Sequence, residues 1–240
     1  MWTPTALASE ARAYRGKVWR VVEAQHRIST NRLAASLEDQ AQLEVLAEAV
    51  KPELPRAVQG LHYLLASPFR YGHTSASRFR RADERPGIFY ASESEATAIA
   101  ETAFWRFTFY SRSPGFVPPS ATSEHTSFTV HVDTGQAIDL TAQPFVAQSD
   151  LWTDPLDYRA CQDLAAAARE ARLALIRTLS VRDPGHGCNV VVLDPAAFAS
   201  REPVIRRTWH LRYEHGRLTA MAAFPSHGHH EFTGEGFGLA

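Results

Sequence analysis

Residues 77–110 read SRFRRADERPGIFYASESEATAIAETAFWRFTFY, and the remainder of the chain is best understood outward from them. Gly87 opens an apolar run, Ile88-Phe89-Tyr90, of the aromatic and β-branched kind that strands favour. Ser92 and Glu95 form an S-x-x-E capping box, which predicts a helix from about Glu93. Ala96, Ile99, Ala100, Ala103, Phe104 and Phe107 recur at helical spacing as its core face. Glu101 is the one acid between Ala96 and Tyr110, with Ala98 and Trp105 one turn away on its own face. Such a carboxylate wants an arginine, a ligand or a catalytic task, unless it simply reaches solvent. Upstream, Arg78 and Arg80 stand two apart and point the same way if that segment is extended. Their planar forks match phosphate, whereas Arg81 and Arg85 nearby keep open the reading of a solvated basic loop.

Before this stretch, residues 1–16 are polar and Ala-rich and read as a loosely ordered lead-in, and residues 17–24 read as a strand with Arg20 inside it. Thr30 or Asn31 caps a predicted helix ending before Pro52, with Leu33, Leu37, Leu43, Leu46, Ala47 and Val50 as its inner stripe. A second apolar segment, residues 57–65, closes at Ser67-Pro68. Arg70 and Tyr71 then lead into the arginine cluster and are candidates for its border.

Beyond the central helix, residues 111–123 are rich in Pro, Ser and Gly and read as a surface loop, a candidate lid. Residues 128–132 alternate as a strand, Asp133-Thr134-Gly135 is read as a turn, and residues 137–140 as the strand pairing back. Residues 157–175 have helix propensity, with Cys161, Leu164, Ala165 and Ala168 inward. Ser180 precedes a Gly-rich turn and an apolar strand, with Arg182 and Asn189 flanking the turn as ligand binders or braces. Residues 207–224 read as a hairpin around His215-Gly216.

At 240 residues and 45% hydrophobic composition, the chain can bury a full core as a single domain, 1–240. Its formal charge of −1 gives no electrostatic case for nucleic acid. No 18-residue apolar run and no signal-peptide h-region occur, so the expectation is a cytoplasmic protein without a membrane partner. Cys161 and Cys188 make neither a disulfide framework nor a zinc set and read as packing residues. His227, His229 and His230 lack a carboxylate or Cys at ligand spacing, so no metal is expected and the tail reads as flexible. No P-loop or Rossmann fingerprint occurs.

The strings SRFR, PGIFYAS and AIAETAFWR, followed by Ser180 within IRTLSVRDPGHGCNVVVLDPAAF, resemble the signature of the RES-domain family, named for an Arg, a Glu and a Ser. The resemblance implies an α+β fold: one ADP-ribosyltransferase-like domain with a mixed or antiparallel sheet core, best matched over about residues 70–225. Residues 30–66 would be a helical insertion. It implies a toxin of a bacterial toxin–antitoxin pair that consumes NAD as substrate, with no separate cofactor, and a helix-turn-helix, Xre-like antitoxin as partner. Nucleic acid would enter only through that antitoxin.

By the same resemblance, Glu101 would stabilise an oxocarbenium-like ribose, Arg78 would hold the pyrophosphate, Tyr90 would border the nicotinamide and Ser180 would orient ribose or carboxamide. Arg80, Arg20, Arg182 and Asn189 are the further substrate-binding candidates. Many family members carry Gly-Arg-Trp-Asn where this chain has Ser77-Arg78-Phe79-Arg80, so local alignment favours Arg78 and counting back from Tyr90 favours Arg80. Water, phosphate or a protein side chain as acceptor gives an NAD glycohydrolase, an NAD phosphorylase or an ADP-ribosyltransferase. Two other classes compete, an RNA-cleaving or RNA-binding toxin and a catalytically inactive interaction module.

Overall fold

The longest strand organises the architecture. The structure, a computed structural model, describes residues 2–24, 34–111 and 122–239. In it β3 (Ser123–Asp139) pairs antiparallel along its length with β1 (Arg12–Glu23). β1 meets β2 (Phe89–Ser92) at Trp19 and Ser92, and β2 pairs with β5 (Cys188–Val192). β5 pairs with β4 (Leu175–Leu179), which runs parallel to the end of β3. The order β1-β2-β5-β4-β3, with β3 returning to β1, closes a ring of strands. From β3 the sheet continues outward through β6 (Val204–Glu214), β7 (Arg217–Ala222) and β8 (His229–Thr233). This is a mixed, mainly antiparallel sheet with helices, the α+β class expected.

Strand alternation sorts the core into layers. Val18, Phe89, Phe128, Val130, Leu175, Val190 and Val192 fill the ring, plugged by Leu65 and Phe69 of α3 (Tyr63–Arg70). The opposite parity, Ile138, Ile176 and Val191, packs outside the ring against α6 (Arg159–Glu170) through Cys161, Leu164, Ala165 and Ala168. α4 (Glu95–Ser111) buries Ile99, Ala103 and Phe107 against Val21 and the β6–β8 wing, where Trp209, Leu211 and Ala220 meet it. Both cysteines are free, and burial pushes the Cys161 thiol up to about 11, as suits a packing residue.

Several expectations are corrected. The N-terminus is ordered: Thr3 caps α1 (Pro4–Ser9), whose Leu7 is fully buried, and β1 starts at Arg12. Asp133-Thr134-Gly135 is no turn, because Arg15 and Tyr14 of β1 pair with Asp133 and Thr134 and carry the ladder through them. Residues 229–233 are not a flexible tail, since β8 pairs with β7 and Phe232 enters the α4 layer. α2 (Leu37–Ala49) forms under the Ser36 cap, yet none of its residues is buried, and Leu37, Leu46 and Val50 of the expected inner stripe are exposed. Thr30, Asn31 and Leu33 lie outside the described residues, as does most of the candidate lid. α3 runs through Pro68 to Arg70 rather than closing at Ser67-Pro68. The hairpin at His215-Gly216 forms as predicted, with both residues at positive φ, 50° and 74°.

Candidate active site

Ser92 is not the cap of α4. Ser94 is: its Oγ accepts from the Thr97 amide at 3.0 Å. Ser92 instead ends β2, and register places Trp19, Ser92, Asn189 and Thr178 in one row across β1, β2, β5 and β4. Outside the ring this row, with Tyr90 and Val191 beside it, forms the floor of a pocket of about 240 Å³. The pocket face of α4 supplies Ala98, Glu101, Thr102 and Trp105, opposite the turn carrying Ser77, Arg78 and Phe79. Tyr158 and Arg182 complete the rim.

Glu101 is held by one oxygen. Its Oε1 accepts from Ser180 Oγ at 2.7 Å and from Asn189 Nδ2. Among the described residues no hydrogen bond reaches Oε2. Ser180 is itself fixed, because its Oγ accepts from the amides of Arg182 and Asp183 at 3.2 and 3.0 Å. The turn behind it is tied to α4 through Asp183, whose Oδ2 accepts from Thr97 Oγ1 at 2.8 Å and from the Gly187 amide at 3.1 Å. A Cβ on Gly187 would fall 2.1 Å from Thr97 Oγ1, so only glycine allows this approach. The Ser180 hydroxyl is thus taken up within the protein.

The guanidinium groups divide into pocket and scaffold. Arg78 reaches across to Thr178 Oγ1 and Leu179 O, both at 2.7 Å, through a single nitrogen, Nη2. Arg182 lies 3.7 Å over the Phe104 ring and donates to Pro155 O and Tyr158 Oη. Arg20 donates to Tyr90 O at 3.3 Å and sits 4.8 Å over the Phe89 ring, and burial draws its pKa down to about 10. No ion pair joins these three to another described residue.

Arg80 has a different fate. It is buried, donates to the carbonyls of His73, Ser75 and Arg81, and does not line the pocket. That favours Arg78 over Arg80 as the ligand-facing arginine. Arg70, a border candidate, bonds Pro52 O and Glu48 instead. The Tyr90 ring borders the pocket while its hydroxyl bonds Ser77 Oγ at 2.8 Å and the Phe79 amide at 3.2 Å; burial raises its pKa, with these bonds acting the other way. The sequence-predicted residues Glu101, Arg78, Tyr90, Arg20, Arg182 and Asn189 therefore line one pocket, Ser180 stands behind it on Glu101, and Arg80 stands outside it.

Sequence reading missed Ser92, Thr178, Trp19 and Tyr158. For Ser92 a signal existed, since alternation through Phe89-Tyr90-Ala91-Ser92 sets it on the face of Tyr90. Among the described residues no group of three or more His, Cys, Asp or Glu is placed to hold a metal, and no helix is long and apolar enough to cross a membrane.

With the geometry in place, comparison with known proteins assigns the lineage. Residues 53–214 match the RES domain. The chain belongs to the RES-domain family. The match takes in Arg78, Tyr90, Glu101, Ser180 and Asn189 of this RES protein but begins after β1, so Trp19 and Arg20 come from outside it. One chain of the crystallised M. tuberculosis MbcT–MbcA toxin–antitoxin complex aligns with 86% of this RES protein and 92% of its own length, at 14% identity and a TM-score of 0.47. No curated protein matches the sequence.

Proposed function

We propose that this RES protein is the toxin of a toxin–antitoxin pair and acts by breaking the nicotinamide–ribose bond of NAD. The observation that carries the reading is the pairing of an open Glu101 Oε2 with a surplus of positive charge. Arg20, Arg78 and Arg182 against Glu101 give the pocket lining three positive groups and one negative, a formal net of +2. The pyrophosphate of a dinucleotide carries the complementary two negative charges. At about 240 Å³ the pocket is smaller than the roughly 300 Å³ from which drug-sized ligand sites begin. It suits the nicotinamide riboside half, with the adenosine half outside.

In the proposed reaction nicotinamide leaves with the electron pair of the C–N bond and becomes neutral, while positive charge passes to the ribose. Glu101 stabilises that charge through Oε2, as carboxylates do in glycoside hydrolysis. Arg78 and Arg20 hold the phosphates by charge-assisted hydrogen bonds, and Tyr90 borders the nicotinamide ring. Ser180 and Asn189 act one step back, by fixing the carboxylate. Attack by water yields ADP-ribose and a proton; attack by phosphate yields ADP-ribose 1-phosphate. The partner by family analogy is a helix-turn-helix antitoxin that covers the pocket.

The test is NAD consumption by purified protein with and without phosphate, with the products separated. Loss of NAD with release of nicotinamide supports the reading, and the second product names the acceptor. A folded wild-type protein that leaves NAD intact in both buffers overturns it.

A further inference from the structure

The hydrogen-bond directions around Glu101 form a chain whose far end is Ser92. An ionised carboxylate only accepts, so the Asn189 atom facing Glu101 Oε1 must be the amide nitrogen. Asn189 Oδ1 then faces the other way, where Ser92 Oγ lies 2.7 Å off, and Ser92 must donate to it. Ser92 is only 2% exposed, and the β2–β5 register puts it directly opposite Asn189. Without that donor Asn189 Oδ1 loses its partner, and the amide is held at one end only, by the carboxylate it is meant to brace. An amide free to swing at its Oδ1 end no longer fixes Oε1, and the carboxylate can turn about its remaining bond to Ser180.

We propose that Ser92 is a positioning residue: by anchoring Asn189 Oδ1 it holds the amide rigid, clamps Glu101 Oε1 and keeps Oε2 turned to the pocket. Ser92 acts through Asn189 and need not touch substrate. The catalytic consequence rests on the NAD reading above; the orientation of the amide does not.

The experiment separates the two. Asn189 is one of two asparagines in the chain, so selective ¹⁵N-asparagine labelling gives two side-chain amide pairs, resolved by comparison with Asn31→Asp. In the wild type the Asn189 pair exchanges slowly with solvent. Ser92→Ala and the near-isosteric weak donor Ser92→Cys shift that pair and speed its exchange, while Ser92→Thr, which keeps the hydroxyl, stays close to wild type. In NAD turnover the same Ala and Cys variants lose kcat by up to about 10²-fold, the scale of a small misplacement at a reacting centre. Their KM stays within about two-fold, and Thr restores kcat. An unchanged Asn189 amide in both Ser92→Ala and Ser92→Cys overturns the proposal, whether or not the protein consumes NAD. So does a rise in KM at constant kcat, which would make Ser92 a substrate contact. Inactive wild type with the amide shift intact overturns only the NAD reading.

Discussion

Replacing Glu101 with Gln removes one charge from the pocket and almost nothing else. The Gln carbonyl can take the place of Oε1, accepting from Ser180 Oγ and Asn189 Nδ2 as the carboxylate does, so both donors stay satisfied. Folding stability should therefore change by less than about 1 kcal/mol, the range of a substitution that leaves no buried group unpaired. The reaction is affected far more. A carboxylate oxygen about 4 Å from a developing oxocarbenium charge, at an effective dielectric near 20, contributes about 4 kcal/mol, or roughly 10³-fold in rate. The assay is kcat for NAD loss in wild type and Glu101→Gln, with thermal unfolding of both. Folded Glu101→Gln within ten-fold of wild-type kcat would refute the electrostatic role. Glu101→Leu is the contrasting variant: it also leaves the Ser180 and Asn189 donors unmet, at about 1–3 kcal/mol each, and should unfold at visibly lower temperature.

Other variants test the division of labour among the surrounding groups. Arg78→Ala should raise KM for NAD by roughly 10- to 100-fold, the worth of a charge-assisted bond to phosphate, with a smaller fall in Tm than Arg80→Ala, since one carbonyl and one hydroxyl lose a donor rather than three carbonyls. Arg80→Ala should do the reverse, because the carbonyls of His73, Ser75 and Arg81 lose their donor; a loss of about 3 kcal/mol lowers Tm by roughly 6–12 °C, and differential scanning calorimetry reads it. Gly187→Ala forces a methyl into Thr97 Oγ1 and Asp183 Oδ2, so kcat and Tm should fall together, stability by about 1–3 kcal/mol. His125 is buried beside Arg106, and burial first, then that charge, lowers its pKa to about 4. Below the ordinary 6.5 the unfolded chain takes up the proton first, so stability should drain away between pH 6.5 and pH 4, by roughly 3 kcal/mol in all. Urea titrations of wild type and His125→Gln at pH 7 and pH 4.5 check it: the variant should lose less over that interval.

Local patterns were legible in the sequence and long-range register was not. The inward faces of α4, apart from Ala96, which is exposed, and of α6 followed from helical spacing, and the hairpin at residues 215–216 from its turn residues. Glu101 stood out because it was a lone acid beside an apolar face. Ser92 was misassigned because Ser92 and Ser94 both precede the same helix, and only pairing with Asn189, far along the chain, makes Ser92 a strand residue. Arg78 and Arg80 share a parity and a composition; what separates them is that the loop at residues 73–81 curls its carbonyls around Arg80. α2 has an apolar pattern and a good cap, yet none of its residues is buried, so periodicity reported a helix correctly and its burial wrongly.

The ring of strands also dictates when, during synthesis, the chain can complete its pocket. β1 leaves the ribosome early and stays unpaired until β2 and β3 follow, and Asn189 comes later still. At roughly 5–20 residues per second, the delay between Trp19 and Asn189 is on the order of ten to thirty seconds. From Glu101 onward a growing chain carries Arg20, Arg78 and Glu101 but lacks the asparagine that braces the carboxylate. The pocket is therefore complete only in nearly finished molecules, and the activity proposed above would be closed to every shorter nascent fragment.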